Sequence, residues 1–179
     1  MTPRSGGILA VTLAAAVVQA QSAPSPSPSS APAACSSAEF RQFDFWIGEW
    51  DVVNEKGEPA GRNRIESALG GCVLQEHWEG VGGSRGTSLN VYDAAFSRWH
   101  QTWVDGRGGL LELDGGLVGG AMVLSGSRPS EKEKGKTVRH RITWTPLAPD
   151  RVRQLWESSS NGGTKWEVLF DGTYKKRRG

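Results

Sequence analysis

Glu76 is the residue whose type and setting most invite chemistry. It lies in Val73-Leu74-Gln75-Glu76-His77-Trp78, a run that alternates as a half-buried strand does. A carboxylate that shares a face with Leu74 and Trp78 loses its water when that face is buried, and its pKa then rises. Such a group suits proton transfer, or recognition of a cationic or hydroxylated guest. Glu76 is thus the candidate general acid–base of the chain. The other chemical features fail the context their chemistry needs. Gly82-Gly83-Ser84-Arg85-Gly86 matches G-x-S-x-G, but a nucleophile elbow requires a strand, a tight turn and then a helix. Here Thr87-Ser88-Leu89-Asn90-Val91 continues as a strand. Without a helix N-terminus the same glycines form no phosphate cradle. His77, His100 and His140 stand at no metal-ligand spacing, so neither a metal nor a cofactor is expected. Some small barrels hold haem through one His, yet no motif here assigns such a ligand.

Positioning Glu76 requires strands, and the chain is rich in them. From Phe45 onward, runs of Val, Leu, Trp and Thr recur near 45–53, 62–69, 72–79, 86–92, 98–104, 109–114, 120–126, 137–145, 151–158 and 164–174. Between them fall turn-forming clusters such as Gly70-Gly71, residues 105–108, residues 114–119 and Asn161-Gly162-Gly163. Turn chemistry at this spacing predicts an all-β antiparallel fold. Short connections pair each strand with the next, and about ten consecutive strands avoid exposed edges only by closing on themselves. The expected fold is an antiparallel up-and-down β-barrel of about ten strands. One short helix over residues 37–42 precedes it as a plug, capped through Ser36-x-x-Glu39.

In a small barrel alternate residues face the lumen. Parity groups Trp46, Gly48, Trp50 and Val52 on the first strand, and Leu74, Glu76 and Trp78 on the third. It groups Ser88, Asn90 and Tyr92 on the fourth, and Trp99, Gln101 and Trp103 on the fifth. Near the C-terminus Val152, Gln154 and Trp156 align, as do Trp166, Val168, Phe170, Gly172 and Tyr174. Face after face joins an amide or a carboxylate to large aromatics. A solid core favours aliphatic residues, because every buried amide needs a partner. A ligand pocket is apolar and aromatic, with a few polar groups that orient the guest. The candidate ligand-binding residues are therefore Trp50, Glu76, Trp78, Asn90, Tyr92, Gln101, Trp103, Gln154, Trp156 and Trp166.

The stretch FDFWIGEWDV (43–52) is accompanied in order by GCVLQEHW (71–78), SLNVYD (88–93), WHQTWVD (99–105), RITWTP (141–146) and VRQLWE (152–157). Together they resemble an uncharacterised bacterial family of lipocalin-like domains, over residues 40–174. The resemblance implies a calycin-type barrel with a central cavity, and no particular activity. Gly48-Glu49-Trp50 is also similar to the first-strand Gly-x-Trp of lipocalins, whose Trp closes the barrel floor.

Residues 1–20 have the layout of a secretory signal, with Arg4, an apolar run over 8–18 and small residues ending at Ala20. That run is shorter than the ~20 residues of a spanning helix, so no stable membrane span is expected. Residues 21–35 form a Ser/Pro/Ala-rich spacer, 36–175 the barrel domain and 176–179 a basic, solvated tail. The expected location is secreted or periplasmic. In an oxidising compartment Cys35 and Cys72 can pair as a disulfide. Two buried thiols, or a lipid on Cys35 after Ala33-Ala34, are the alternatives.

The composition excludes several function classes. Of 179 residues, 24 are Gly and 8 are Trp, and all the Trp, Phe and Tyr lie beyond residue 34. So many glycines disfavour a helical bundle, since each costs ~1 kcal/mol inside a helix. The aromatic content of the body argues against a disordered or fibrous chain. The formal net charge is +2, and Lys175, Lys176, Arg177 and Arg178 alone supply four positive charges. No basic face is left for nucleic acid. The leading expectation is a non-enzymatic carrier or sensor of a small apolar or amphipathic molecule. An isomerase, cyclase or hydrolase using Glu76, and a ligand-free structural module of the cell envelope, are the other two.

Overall fold

The structure, a computed structural model, describes Met1 and residues 34–177. Residues 2–33, which hold the rest of the expected signal segment and nearly all of the expected spacer, and the last two residues of the basic tail lie outside the described residues.

Alternation of apolar and polar residues builds ten strands. They are β1 (Gly48–Asn54), β2 (Pro59–Ala68), β3 (Val73–Gly80), β4 (Arg85–Asp93), β5 (Arg98–Asp105), β6 (Leu110–Val118), β7 (Ala121–Pro129), β8 (Thr137–Ala148), β9 (Arg151–Ser159) and β10 (Glu167–Lys176). Each pairs antiparallel with the next, and β10 returns to β1 to close the barrel. At the seam Trp50 stands opposite Lys176 on one side and Asn63 on the other. The expected up-and-down barrel is the observed fold, with no free sheet edge to manage.

The departures from expectation have local causes. Residues 44–46 coil as a 3-10 turn, so β1 starts at Gly48 and Trp46 belongs to the plug. The helix expected over 37–42 is a 3-10 turn at Ala38–Arg41. Its N-cap is Ser37, with no side-chain cap, so the Ser36–Glu39 capping box does not form. Instead the Ser37 hydroxyl donates to Glu39 Oε2 at 2.6 Å. The glycines at 115 and 116 are strand, not turn. A side chain on Gly115 would put its Cβ 2.1 Å from the Val123 carbonyl oxygen, so this glycine lets β7 lie close. The turn shrinks to Gly119 and Gly120, whose φ values of +57° and +87° favour glycine. At the C-terminal end Lys176 remains in β10 and Arg177 N–H donates to Glu49 O at 2.8 Å. The start of the basic tail is thus held by β1 and does not hang in solvent.

A register shift between Val168 and Phe170 has the largest consequence. The extra residue, Leu169, reverses parity, as a β-bulge must. Phe170, Gly172 and Tyr174 face inward, whereas Val168 is 59% exposed. Trp166, which precedes β10, lies beneath the Arg141 guanidinium, 4.2 Å from its ring centroid. Arg141 in turn pairs with Glu157 across β8 and β9 on the outer face.

One end of the barrel is sealed. Phe43 stacks on Trp46 at 5.0 Å and meets Trp99 and Trp144 edge-on, while Trp50 completes the floor. Trp50 Nε1 donates to Trp46 O at 2.9 Å and Trp99 Nε1 to Gln42 Oε1 at 3.2 Å, so the plug is hydrogen-bonded to the barrel. Cys35 and Cys72 form a disulfide, with Cα atoms 5.0 Å apart, that ties the start of the domain to the entry of β3. Neither a free thiol pair nor a lipidated Cys35 is compatible with that bond. Titration of the unfolded, unreduced protein should find no reactive thiol. Reduction should lower stability by on the order of 3–4 kcal/mol through loop entropy. Two reactive thiols, or stability indifferent to reduction, would contradict this pairing.

Candidate functional site

Along the barrel axis the lumenal residues fall into three layers. The sealed layer holds Phe43 and Trp46 of the plug with Trp50, Ile65, Leu74, Trp99, Met122 and Trp144, all at most 2% exposed. Above it lies a polar belt of Asn63, Glu76, Ser88, Asn90, Gln101, Gln154 and Tyr174. The open layer is aromatic, with Trp78, Trp103, Trp156 and Phe170. A cavity of about 330 Å³ occupies the open half and reaches down to the belt, where Glu76, Gln101, Gln154 and Tyr174 line it.

The belt is one connected network. Glu76 Oε1 accepts from Asn63 Nδ2 at 2.7 Å, and Oε2 accepts from Ser88 Oγ at 2.6 Å. The Asn63 amide also donates to the Tyr174 hydroxyl at 3.2 Å, which donates in turn to Gln154 Oε1. On the other side Gln101 Nε2 donates to Asn90 Oδ1 at 2.7 Å, and Asn90 Nδ2 donates to Leu74 O and Ser88 Oγ. Strand register explains the clustering: Glu76 stands opposite Ser88 and Asn90 opposite Gln101, so neighbouring strands place their polar residues at one height. Glu76 is 4% exposed and meets no Lys, Arg or His among the described residues. Burial lifts its pKa from 4.5 to about 6, partly offset by the bonds from Ser88 and Asn63. Burial, with the nearby Glu76 charge, also raises the Tyr174 pKa well above its usual range, so that phenol stays protonated. Higher up, Trp156 Nε1 donates to His140 Nδ1 at 3.2 Å. Burial and the Arg128 charge both lower the His140 pKa, which favours the neutral ring.

The rings of the open layer lie along the wall because glycine makes room for them. A Cβ on Gly86 would sit 2.2 Å from the Trp103 ring, and one on Gly61 would sit 2.8 Å from the Trp78 ring. Without those side chains the indoles cover adjacent backbone and leave the lumen hollow.

Six of the ten sequence candidates line the cavity: Glu76, Trp78, Gln101, Trp103, Gln154 and Trp156. Four do not. Trp50 is part of the sealed floor, and Asn90 supports the belt from beneath Gln101. Tyr92 packs against Phe40 and Trp99 near the plug. Trp166 is carried outside by the β10 bulge. Reading sequence alone missed Tyr174 and Phe170 as lining residues, although parity aligned them, and also Ala60, Ser84, Leu111, Ile142 and Leu169. Asn63 was missed altogether, and its bonds to Glu76 and Tyr174 place it in the belt. Ser84, the serine of the G-x-S-x-G match, lies in the β3–β4 turn at the cavity mouth with no helix behind it.

One arrangement on the outer face mimics hydrolytic machinery. His100 Nδ1 lies 2.9 Å from Asp114 Oδ1, and Nε2 lies 2.9 Å from Thr102 Oγ1. These residues sit on the paired strands β5 and β6, whose ladder takes up the backbone N–H groups that an oxyanion would need. With Arg98 also on Asp114 at 3.3 Å, the group is a cross-strand polar cluster.

The chain matches no protein-family model, and no curated protein matches it at significant similarity.

A raised carboxylate pKa carries a definite sign in stability. Below pH 4.5 Glu76 is protonated in both folded and unfolded chains. Between pH 4.5 and about 6 the folded state binds the extra proton, so stability falls as pH rises. The total loss is about 2 kcal/mol. Glu76→Gln should lack this loss, so urea unfolding at pH 4.5 and pH 7.5 should show the variant gaining on wild type by about that amount. Parallel pH profiles would mean that Glu76 is ionised without penalty.

Proposed function

We propose that this protein is an exported, lipocalin-like carrier or sensor that takes a small apolar or amphipathic molecule into the open half of its barrel. The observation that carries this reading is the unequal filling of the lumen. One half is packed solid by the plug and its aromatics, whereas the other encloses about 330 Å³ between aromatic walls and a polar floor. A structural module has no need of that hollow. Binding pockets commonly combine apolar walls with a few placed polar groups, and a volume near 300 Å³ suits a small guest. Export is supported by the Cys35–Cys72 bridge, which persists in oxidising compartments. Among the described residues no helix is long and apolar enough to cross a membrane. A second reading, acid–base catalysis, rests on the near-neutral pKa of Glu76 at the cavity floor.

Three of the eight tryptophans line the cavity, so a bound guest should change indole emission. Titration with a chemically broad amphiphile panel should give saturable fluorescence changes with at least one member. Gly86→Ala, which forces Trp103 towards the lumen, should weaken that binding about tenfold, or ~1.4 kcal/mol. Silence across the whole panel would count against a carrier. Turnover of a bound guest that disappears in Glu76→Gln, with binding retained, would select the catalytic reading.

A further inference from the structure

Resting on the carrier reading, we propose that the guest is an organic cation, a protonated or quaternary amine on a compact apolar body, whose charged head sits on Glu76. Three independent features of the cavity agree on this chemistry. The first is charge. Glu76 reaches the cavity floor with hydrogen bonds from Asn63 and Ser88 but no cationic partner. A buried carboxylate held only by neutral donors is incompletely compensated, and a ligand cation completes it. Behind it, outside the cavity lining, Asn63 Oδ1 is buried with no donor, so the amide offers the carboxylate its N–H and no positive charge. The second is the wall. Trp78, Trp103, Trp156 and Phe170 surround the space above Glu76, and aromatic faces attract cations, most strongly when water is excluded. The third is what the lining lacks. Among the described residues no Lys or Arg lines this cavity, so an anionic headgroup would meet Glu76 with nothing there to neutralise it. The size fits as well: about 330 Å³ holds roughly eleven waters, hence about a dozen heavy atoms of a guest within the barrel.

The elements around Glu76 hold few other titratable groups. Its neighbours on β2 and β4, Asn63 and Ser88, are neutral, and Tyr174 on β10 stays protonated. Nearer the mouth lie His140, whose pKa is lowered, Arg128, which is paired with Glu131, and Asp105, whose pKa is lowered by backbone N–H donors in its turn. Protonation of Glu76 should therefore dominate the pH dependence of cation binding. With a free pKa of about 6, affinity should fall about tenfold from pH 7.5 to pH 5.

The test uses two isosteres, benzyltrimethylammonium and neopentylbenzene, which share a shape and differ in charge. Calorimetric titration of the mature, disulfide-bonded protein at pH 7.5 should show the cation binding at least tenfold tighter than the hydrocarbon. Glu76→Gln should weaken the cation at least tenfold and leave the hydrocarbon within twofold. Wild type should lose about tenfold in cation affinity at pH 5, a measurement that stands even if the variant does not fold. Hydrocarbon binding equal to or tighter than cation binding overturns the cationic guest while leaving the carrier intact. So does cation affinity that is indifferent to both pH and the variant. If neither probe binds, the cationic guest is overturned, and the carrier reading stands or falls separately on the amphiphile panel.

Discussion

The pairing of β10 with β1 is the constraint on which the rest of the structure depends. Once the tenth strand bonds to the first, every strand has two neighbours and its alternate residues have no choice but the lumen or the solvent. Closure thereby turns one-dimensional sequence parity into a three-dimensional interior. It also fixes the height of each residue, because the register of one pair determines that of the next around the ring. The polar belt exists for this reason. Asn63, Glu76, Ser88 and Gln101 come from the consecutive strands β2 to β5, and closure brings Tyr174 of β10 within hydrogen-bond reach of Asn63.

Within that frame two opposite packing solutions coexist. At the sealed end large rings meet one another edge-to-face and stacked, and hydrogen bonds from Trp50 and Trp99 fasten the plug. At the open end rings of the same kind lie against glycine and do not fill the centre. The same residue type thus builds a floor in one half and a wall in the other. What differs is whether the adjacent strand offers a side chain or a bare backbone. The buried carboxylate sits at the boundary, and the lack of a counter-charge there is tolerated at a cost that falls on stability at neutral pH.

Much of this was legible in the sequence, for reasons particular to β structure. Turn residues spaced between apolar runs marked all ten strands, and parity placed Glu76, Gln101 and Gln154 in the lumen. The errors arose where a single residue changes the count. Leu169 bulges, so Trp166 and Val168 face outward although strict alternation put them beside Phe170. Gly115 and Gly116 resemble turn residues, yet Gly115 serves close strand contact. Trp50 and Tyr92 were assigned the correct face and the wrong height, because parity carries no information about position along the axis. The Cys35–Cys72 bond was one of several outcomes open to the sequence, and only the proximity of the two chain segments decides it.

The polar belt crosses the lumen as a diaphragm, and this limits what can enter in one dimension only. Below it there is no space, so any guest that reaches Glu76 must enter by the mouth and stop head-down at the belt. The enclosed portion is then bounded by the depth of the open half, whereas nothing bounds the part that remains outside. A molecule with a long tail could be gripped by its head with the tail projecting past Leu169 at the rim. Selection would then act on the headgroup and be blind to chain length.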